Sequence, residues 1–544
     1  MSESTVEIQP DYARLVEALR DTGYSLNTAI ADIIDNSIAA DATKIDVSLD
    51  LDENYDVHVA IVDNGCGMDR EGVVNGLRLG SSQRVTPDSL GKFGMGLKTA
   101  STSFCRRLAV VSRATQGGDA LQGIYDLDTV HDTGRLTATI GEPTLEQIEM
   151  LKMTAGSGSG TLIEWLKIDR ILENYDNPAG AHRAKALAKA IESLVDHLSL
   201  VFQRYLDAND PRVSHHTKIS VNGKDVVPFD PFCEDVLPPI DVNEVVDVEI
   251  EQENGEFEIA ELRIRLFRIP NDSEWPSEQR SKLARVFNDN QGVYVYRENR
   301  LIHGPDWLGE FRKEPHYVLA RVELSFDHRL DDAFKVDIKK SKIELAPALK
   351  SELKKYFNQV RTAAQNERRG AETKRALEGG KGLHGPADRT IENNAGSLKT
   401  ANIGNVNPDG SAEITNNRGT ASQRIRIVVG PDNQAMRIEP VESLPDGVLW
   451  MPSVIDGHPA VSLNCSHEFY GKVYEANKDR QNVIQALDFV LWSLAQAELN
   501  NLDESNRILF EDFRIETSRN LRRLTETLPD PTPFVESDLD DTEE

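Results

Sequence analysis

The sequence predicts a multidomain α+β protein, and three observations carry that prediction. An apolar pattern of helical period over residues 11–40 runs into "KIDVSLDLDENYDVHVAIVDNG", two alternating stretches joined by a polar turn that contains Asn54. A long helical pattern, "GAHRAKALAKAIESLVDHLSLVFQRYL" (180–206), gives way to strand-rich texture. From Gly379 to about Gln423 the composition shifts to Gly, Asn, Ser and Thr before apolar periodicity returns. With 544 residues and 39% hydrophobic content there is material for several packed domains, which commonly run about 100 to 200 residues each.

The elements follow in order. Residues 1–206 read as an α/β sandwich: helix, hairpin, a loop-rich segment from Met68 to Leu90, a glycine turn opening a helix in "GKFGMGLKTASTSF", then the strands "LAVVSRA" and "GTLIEWLKI". Residues 207–350 form a second α/β domain built from "KISVNGKDVVPF", "EVVDVEIEQENGEFEIAELRIRLFRI", "GVYVYRENRLI" and "VLARVELSF", closing with "FKVDIKKSKIEL". Residues 351–378 are a basic helix, the best nucleic-acid candidate in the chain; from 350 onward Lys and Arg stand at 350, 354, 355, 361, 368, 369, 374 and 375 against Glu at 352, 367, 372 and 378. A solvated or coiled-coil face is the competing explanation. Residues 379–423 are expected to be a disordered linker, 424–527 a small α+β domain, and 528–544 an acidic tail.

Composition excludes several classes. No stretch reaches the roughly 18 uninterrupted apolar residues of a membrane span, and the acidic N-terminus is unlike a secretory signal, so a cytoplasmic protein is expected. Cys66, Cys105, Cys233 and Cys465 lie far apart without a CxxC pair, which points to neither zinc knuckle nor disulfide framework. A net charge of −29 argues against DNA binding by bulk attraction, though not against a local basic face.

Taken singly, the chemical motifs are weak. "DNGCGM" (63–68) is a DxGxG turn whose Gly65 and Gly67 are expected to supply positive φ. "GKFGMGLK" places Gly91, Gly94 and Gly96 before a helix, where backbone amides and Lys98 suit phosphates, but it lacks the GK[ST] ending of a P-loop. The acid Asp32 and Asn36 lie one helical turn apart, and Gly160 and Thr161 open a strand.

In that order, the four motifs resemble the GHKL ATPases, whose Bergerat fold is a helix-backed sheet holding ATP beneath a mobile lid. The likeness covers roughly residues 10–350 and extends to the transducer domain of MutL, MORC and gyrase. It implies Asn36 as the ligand of Mg²⁺, Asp63 as acceptor of the adenine amine, Gly65, Gly67 and Met68 against the base, and Thr161 completing the adenine site. Residues 81–90 would form the lid, and Gly91, Lys92, Phe93, Gly94, Met95, Gly96, Leu97 and Lys98 would wrap the triphosphate. In "VDIKKSKIEL", Lys342, with Lys340 as the near alternative, would reach the terminal phosphate.

The sequence departs from the family twice: Asp32 stands where most hydrolysing members have Glu, and Ala39 where the ExxxNxxDA pattern has Asp. Three readings follow: Asp32 is a working base, the domain is a switch with very slow hydrolysis, or Asp35 acts instead. The resemblance implies an Mg-ATP-dependent homodimer of the MutL/MORC-like branch, similar to prokaryotic MORC-like proteins, acting on DNA or a DNA-processing partner in a restriction-like or antiphage setting. The alternatives are an ATP-sensing conformational switch and a chaperone-like protein-interaction module. A MutL-type endonuclease is disfavoured, since residues 424–544 hold no DQHAxxE-like metal motif.

Overall fold

Two helices lead the chain, α1 (Tyr12–Arg20) and α2 (Leu26–Ile38). Ser25 and Thr28 close a capping box that starts α2, and Ile30, Ile33, Ile34 and Ile38 recur at helical spacing, so that side packs fully into the core. The computed structural model describes residues 10–52, 54–80, 96–173, 177, 180–251, 257–271, 274–331, 334, 347–406, 411–428, 436–525 and 527–528. They divide into two units, Met1–Ala364 and Gln365–Glu544.

In the first unit an eight-stranded sheet forms from β1 (Lys44–Leu51), β2 (Val57–Asp63), β3 (Cys105–Arg113), β4 (Leu121–Asp126), β5 (Thr139–Gly141), β6 (Gly160–Ile168), β7 (Lys218–Val221) and β8 (Lys224–Asp225), in the order β5-β4-β3-β6-β2-β1-β7-β8. Its helices are α3 (Arg70–Leu77), α4 (Gly96–Thr102), α5 (Leu127–Thr133), α6 (Leu145–Ala155), α7 (Ala181–Val201) and α8 (Gln203–Leu206). On β1, Ile45, Val47 and Leu49 point to the α2 side and the polar residues alternate away. Strand β2 is buried on both faces because Leu151 of α6 covers Ala60, Val62, Val111 and Leu162 on the far side.

The sheet does not stop at residue 206, where the sequence places the domain boundary. Strand β7 pairs parallel to β1, Ile219 opposite Ile45, so the change of texture after the long helix marks the sheet's last strands rather than a new domain.

The second sheet comprises β9 (Ile240–Glu251), β10 (Phe257–Arg268), β11 (Gly292–Arg297), β12 (Arg300–Asp306) and β13 (Ala320–Phe326), ordered β12-β11-β13-β10-β9, with α9 (Glu278–Leu283) beside it. Helix α10 (Pro347–Leu383) begins here: Leu353, Phe357, Val360 and Ala364 form a stripe buried in this sheet's core. The basic helix expected at 351–378 is therefore partly a core element. Four of its basic side chains are engaged: Lys350 and Lys354 each lie 3.0 Å from Glu310, Lys355 pairs with Glu352, and Arg361 stacks 3.9 Å from the ring centres of Phe311 and Tyr317.

In the second unit, α11 (Gly385–Asn394), a sheet of β14 (Asn402–Val406), β15 (Ser411–Asn416) and β16 (Gly419–Arg424), and a four-stranded sheet β17-β19-β20-β18 precede α12 (Gln481–Leu499) and α13 (Glu504–Thr525). The strands of the latter are β17 (Arg426–Val428), β18 (Ile438–Val441), β19 (Trp450–Ile455) and β20 (His458–Asn464). This corrects the expectation of a disordered linker over 379–423. The few apolar residues there are spaced to share cores: Ala387 and Ile391 on α11 are buried with Trp450 and Trp492, and Ile414 on β15 with Leu499. Among the described residues no helix is long and apolar enough to cross a membrane.

Candidate functional site

Asp63 ends β2 with its side chain 5% exposed. The Ser37 hydroxyl on α2 donates to Oδ2 at 2.7 Å and the Gly65 amide to Oδ1 at 2.9 Å. Burial pushes the Asp63 carboxyl above the usual carboxylate range, and donors from Ser37, Gly65 and the Thr161 backbone offset part of that rise. Thr161 sits opposite Asp63 in the β2–β6 pair. Its hydroxyl shares a 2.9 Å hydrogen bond with Ser112, which in turn accepts the Met68 amide at 2.8 Å. One serine thereby ties together the strand bearing Thr161 and the turn bearing Met68.

The turn's glycines have distinct causes. Gly67 has φ +68°, and a Cβ there would lie 2.1 Å from the Arg113 carbonyl oxygen. Gly65 is not in the left-handed region, contrary to expectation; it is required because a Cβ would meet the Ala40 carbonyl oxygen at 2.7 Å. The turn is thus wedged between the end of α2 and the end of β3.

Tyr24, just before α2, donates its hydroxyl to Asp32 Oδ2 at 2.8 Å, and on the helix the Asn36 amide nitrogen donates to the Asp32 backbone carbonyl at 3.1 Å. With that nitrogen bound to the helix, the metal-ligating atom Asn36 offers is Oδ1. Gly96, first residue of α4, abuts the same acid: a Cβ there would stand 3.8 Å from Asp32 Oδ2. Asp35, 1% exposed, accepts Arg300 Nε at 2.8 Å; the guanidinium also lies 3.6 Å from Asp32 Oδ1. That engagement sets Asp35 against the second sheet and argues against its acting as a base.

Lys98 is 2% exposed and donates to the Gly76 carbonyl at 2.9 Å, while burial pulls its ammonium down to about 8. Leu97 packs against the main core. Gly91, Lys92, Phe93, Gly94, Met95, Lys340 and Lys342, with the lid segment 81–90, lie outside the described residues. Sequence reasoning missed Tyr24, Ser37, Ser112 and Arg300. Ser37 was detectable as the neighbour of Asn36 facing the sheet; the other three carry no local pattern.

A magnesium ion fits the donor set in a limited way. Among the described residues no group of three or more His, Cys, Asp or Glu could hold a metal. An amide oxygen from Asn36 completed by phosphate oxygens and water matches magnesium's preference.

Residues 24–161 match the family described as histidine kinase-, DNA gyrase B-, and HSP90-like ATPase. ATPase MORC2B of Mus musculus is 40% identical over 77 residues, 13% of this chain and 8% of that protein. Protein MICRORCHIDIA 1 of Arabidopsis thaliana is 32% identical over 101 residues, 18% of this chain and 16% of that protein. The chain therefore spans a small fraction of the length of the curated relatives it matches. A crystal structure titled as the N terminal domain of a DNA repair protein aligns with 64% of this chain and 98% of its own at 16% identity, with a TM-score of 0.36, a likeness too low to carry fold or function. The chain thus carries, over residues 24–161, a domain of the histidine kinase-, gyrase B- and HSP90-like (GHKL) ATPase family, and within that family it is MORC-like.

Proposed function

We propose that the protein binds Mg-ATP at the ends of α2 and β2 and hydrolyses it with Asp32 as general base. The observation that carries this reading is convergence: α2, the DxGxG turn, Gly96 and the Gly160–Thr161 strand start, far apart in sequence, meet around Asp32, Asn36 and Asp63. Asp63 would accept the adenine amine, with Ser37 and Gly65 fixing the carboxylate plane. Tyr24 orients Asp32, which would take the proton of the attacking water. Asn36 Oδ1 would hold magnesium, which when bound neutralises triphosphate charge and polarises the transferred phosphoryl group. Lys342, or Lys340 beside it, would stabilise charge at the terminal phosphate.

Closure of two copies on ATP and a DNA-related client extend the proposal, supported by the similarity to MORC proteins over 77 and 101 residues. The engaged state of Lys350, Lys354, Lys355 and Arg361 reduces what α10 offers to phosphates. A second reading, an ATP-binding switch with little turnover, is favoured by the short Asp32 side chain already held by Tyr24. Phosphate release, measured with and without duplex DNA alongside equilibrium ATP binding, separates the two. Binding without release supports the switch; release at wild-type rate in Asp32→Ala removes the base assignment. A salt-dependent shift of duplex DNA unaffected by neutralising Lys354, Lys355, Arg368 and Arg369 would remove α10 from the DNA reading.

A further inference from the structure

Resting on the hydrolysis reading, we infer that Arg300, presented by the β11–β12 hairpin of the second sheet, is the positioning residue that holds the short Asp32 carboxylate over its water. Aspartate is one methylene shorter than the glutamate it replaces, and misplacing a catalytic group costs on the order of 100-fold in rate per ångström. A compensating hold is therefore expected from the surroundings. The structure places one on each oxygen of Asp32: the Tyr24 hydroxyl on Oδ2 at 2.8 Å and Arg300 Nη2 at an ion-pair distance of 3.6 Å from Oδ1.

Arg300 is itself fixed. Its Nε donates to Asp35 Oδ1 at 2.8 Å, its Nη1 donates to the Leu301 carbonyl at 3.2 Å, and the guanidinium faces the Phe202 ring at 5.8 Å. One planar cation thus addresses two carboxylates a helical turn apart, which the fork of arginine permits and the point charge of lysine does not. Burial and then the Arg300 charge push His197, packed nearby, down to about 4, so that imidazole is neutral near pH 7 and adds no charge beside Arg300.

The hairpin that delivers Arg300 is clamped as well. Its turn residues Glu298 and Asn299 have φ of 48° and 66°, the left-handed pair of a tight two-residue turn. Tyr205 donates its hydroxyl to the Glu298 carbonyl at 2.8 Å, Arg204 donates to Asn299 Oδ1 at 3.1 Å, and Asn299 donates to the Arg212 carbonyl at 2.9 Å. The seat of the second sheet's hairpin therefore sets the position of the acid on α2. Turnover, but not nucleotide binding, depends on it.

Steady-state kinetics with an independent ATP-binding measurement test this on the full chain. Arg300→Ala is expected to lower kcat on the order of 30-fold with KM and ATP affinity within about twofold of wild type. Arg300→Lys should fall between the two, and added guanidinium ion at low millimolar concentration should restore part of kcat to Arg300→Ala but not to Asp32→Ala. A merely structural role predicts no such rescue. Wild-type kcat in a folded Arg300→Ala overturns the inference alone; should that variant fail to fold, wild-type kcat in Arg300→Lys does the same. ATP binding without any wild-type turnover would instead bring down the hydrolysis reading, and the inference with it.

Discussion

The Ser37 hydroxyl donates to the Asp63 carboxylate at 2.7 Å, joining α2, which carries Asp32 and Asn36, to the end of β2, where the DxGxG turn begins. Both side chains are buried, and the bond crosses from helix to sheet. It makes a helix-borne residue part of the proposed adenine side and supplies the first prediction.

Asp63→Asn is expected to lower ATP affinity by two orders of magnitude or more, because the new amide presents a donor where the proposed site needs an acceptor. Ser37→Ala should weaken binding less and cost about 1–3 kcal/mol of stability, the range for leaving a buried polar group short of a partner. Calorimetric titration with ATP and urea unfolding check both; unaltered affinity in Asp63→Asn would overturn the nucleotide-site reading.

Asp32→Ala should keep ATP binding and lose turnover, whereas Asp35→Asn should chiefly lose stability. Asp35 is buried against Arg300 at 2.8 Å, and breaking a buried ion pair costs about 3–5 kcal/mol. Equal loss of turnover in a stable Asp35→Asn protein with an unaffected Asp32→Ala would reverse the assignment.

Gly67→Ala should destabilise severely, since a Cβ would both occupy the left-handed region and stand 2.1 Å from the Arg113 carbonyl oxygen. Gly117, with φ +70° and nothing within 4 Å of its Cβ position, isolates the conformational part of that cost. Its alanine variant should lose about 1 kcal/mol. Thermal melts showing the two variants alike would contradict the close approach.

Lys98 gives a pH prediction. Burial pulls its folded pKa down to about 8, while the unfolded chain titrates near 10.4, the ordinary value. Between these values the unfolded state binds the extra proton, so stability rises with pH across that window, and below about pH 8 the full penalty for a buried charge remains. Lys98→Met should remove this slope and be more stable at pH 7 by up to about 3 kcal/mol, from about 1.4 kcal/mol per pK unit. Urea midpoints of both proteins at pH 7.5 and 9.5 read the difference; parallel pH dependences would show that Lys98 does not titrate there.

Much of the site was legible because its requirements are local. Gly67 must be glycine for its own backbone, Asp63 must end a strand beside a tight turn, and Asp32 and Asn36 share a face by helical period alone. Gly65 was legible for the wrong reason: its need comes from the Ala40 carbonyl, not from its own φ. Arg300 was hidden because it lies 265 residues from Asp35, in a "RENR" stretch that looks like any charged hairpin tip. The same blindness turned α11 and β14–β16 into a linker, since composition counts polar residues and cannot see that Ala387, Ile391 and Ile414 each reach a core.

By itself, then, the sequence determined the α+β class, the order of the four motifs and the residue types that suit a nucleotide, because turns, caps and periodicity are properties of neighbouring residues. Only the tertiary structure decided which acid faces which partner. Asp32 and Asp35 are three residues apart on one helix, and their surroundings separate because a guanidinium from the second sheet is buried against one and reaches toward the other, a matter of distances in space that no local pattern encodes.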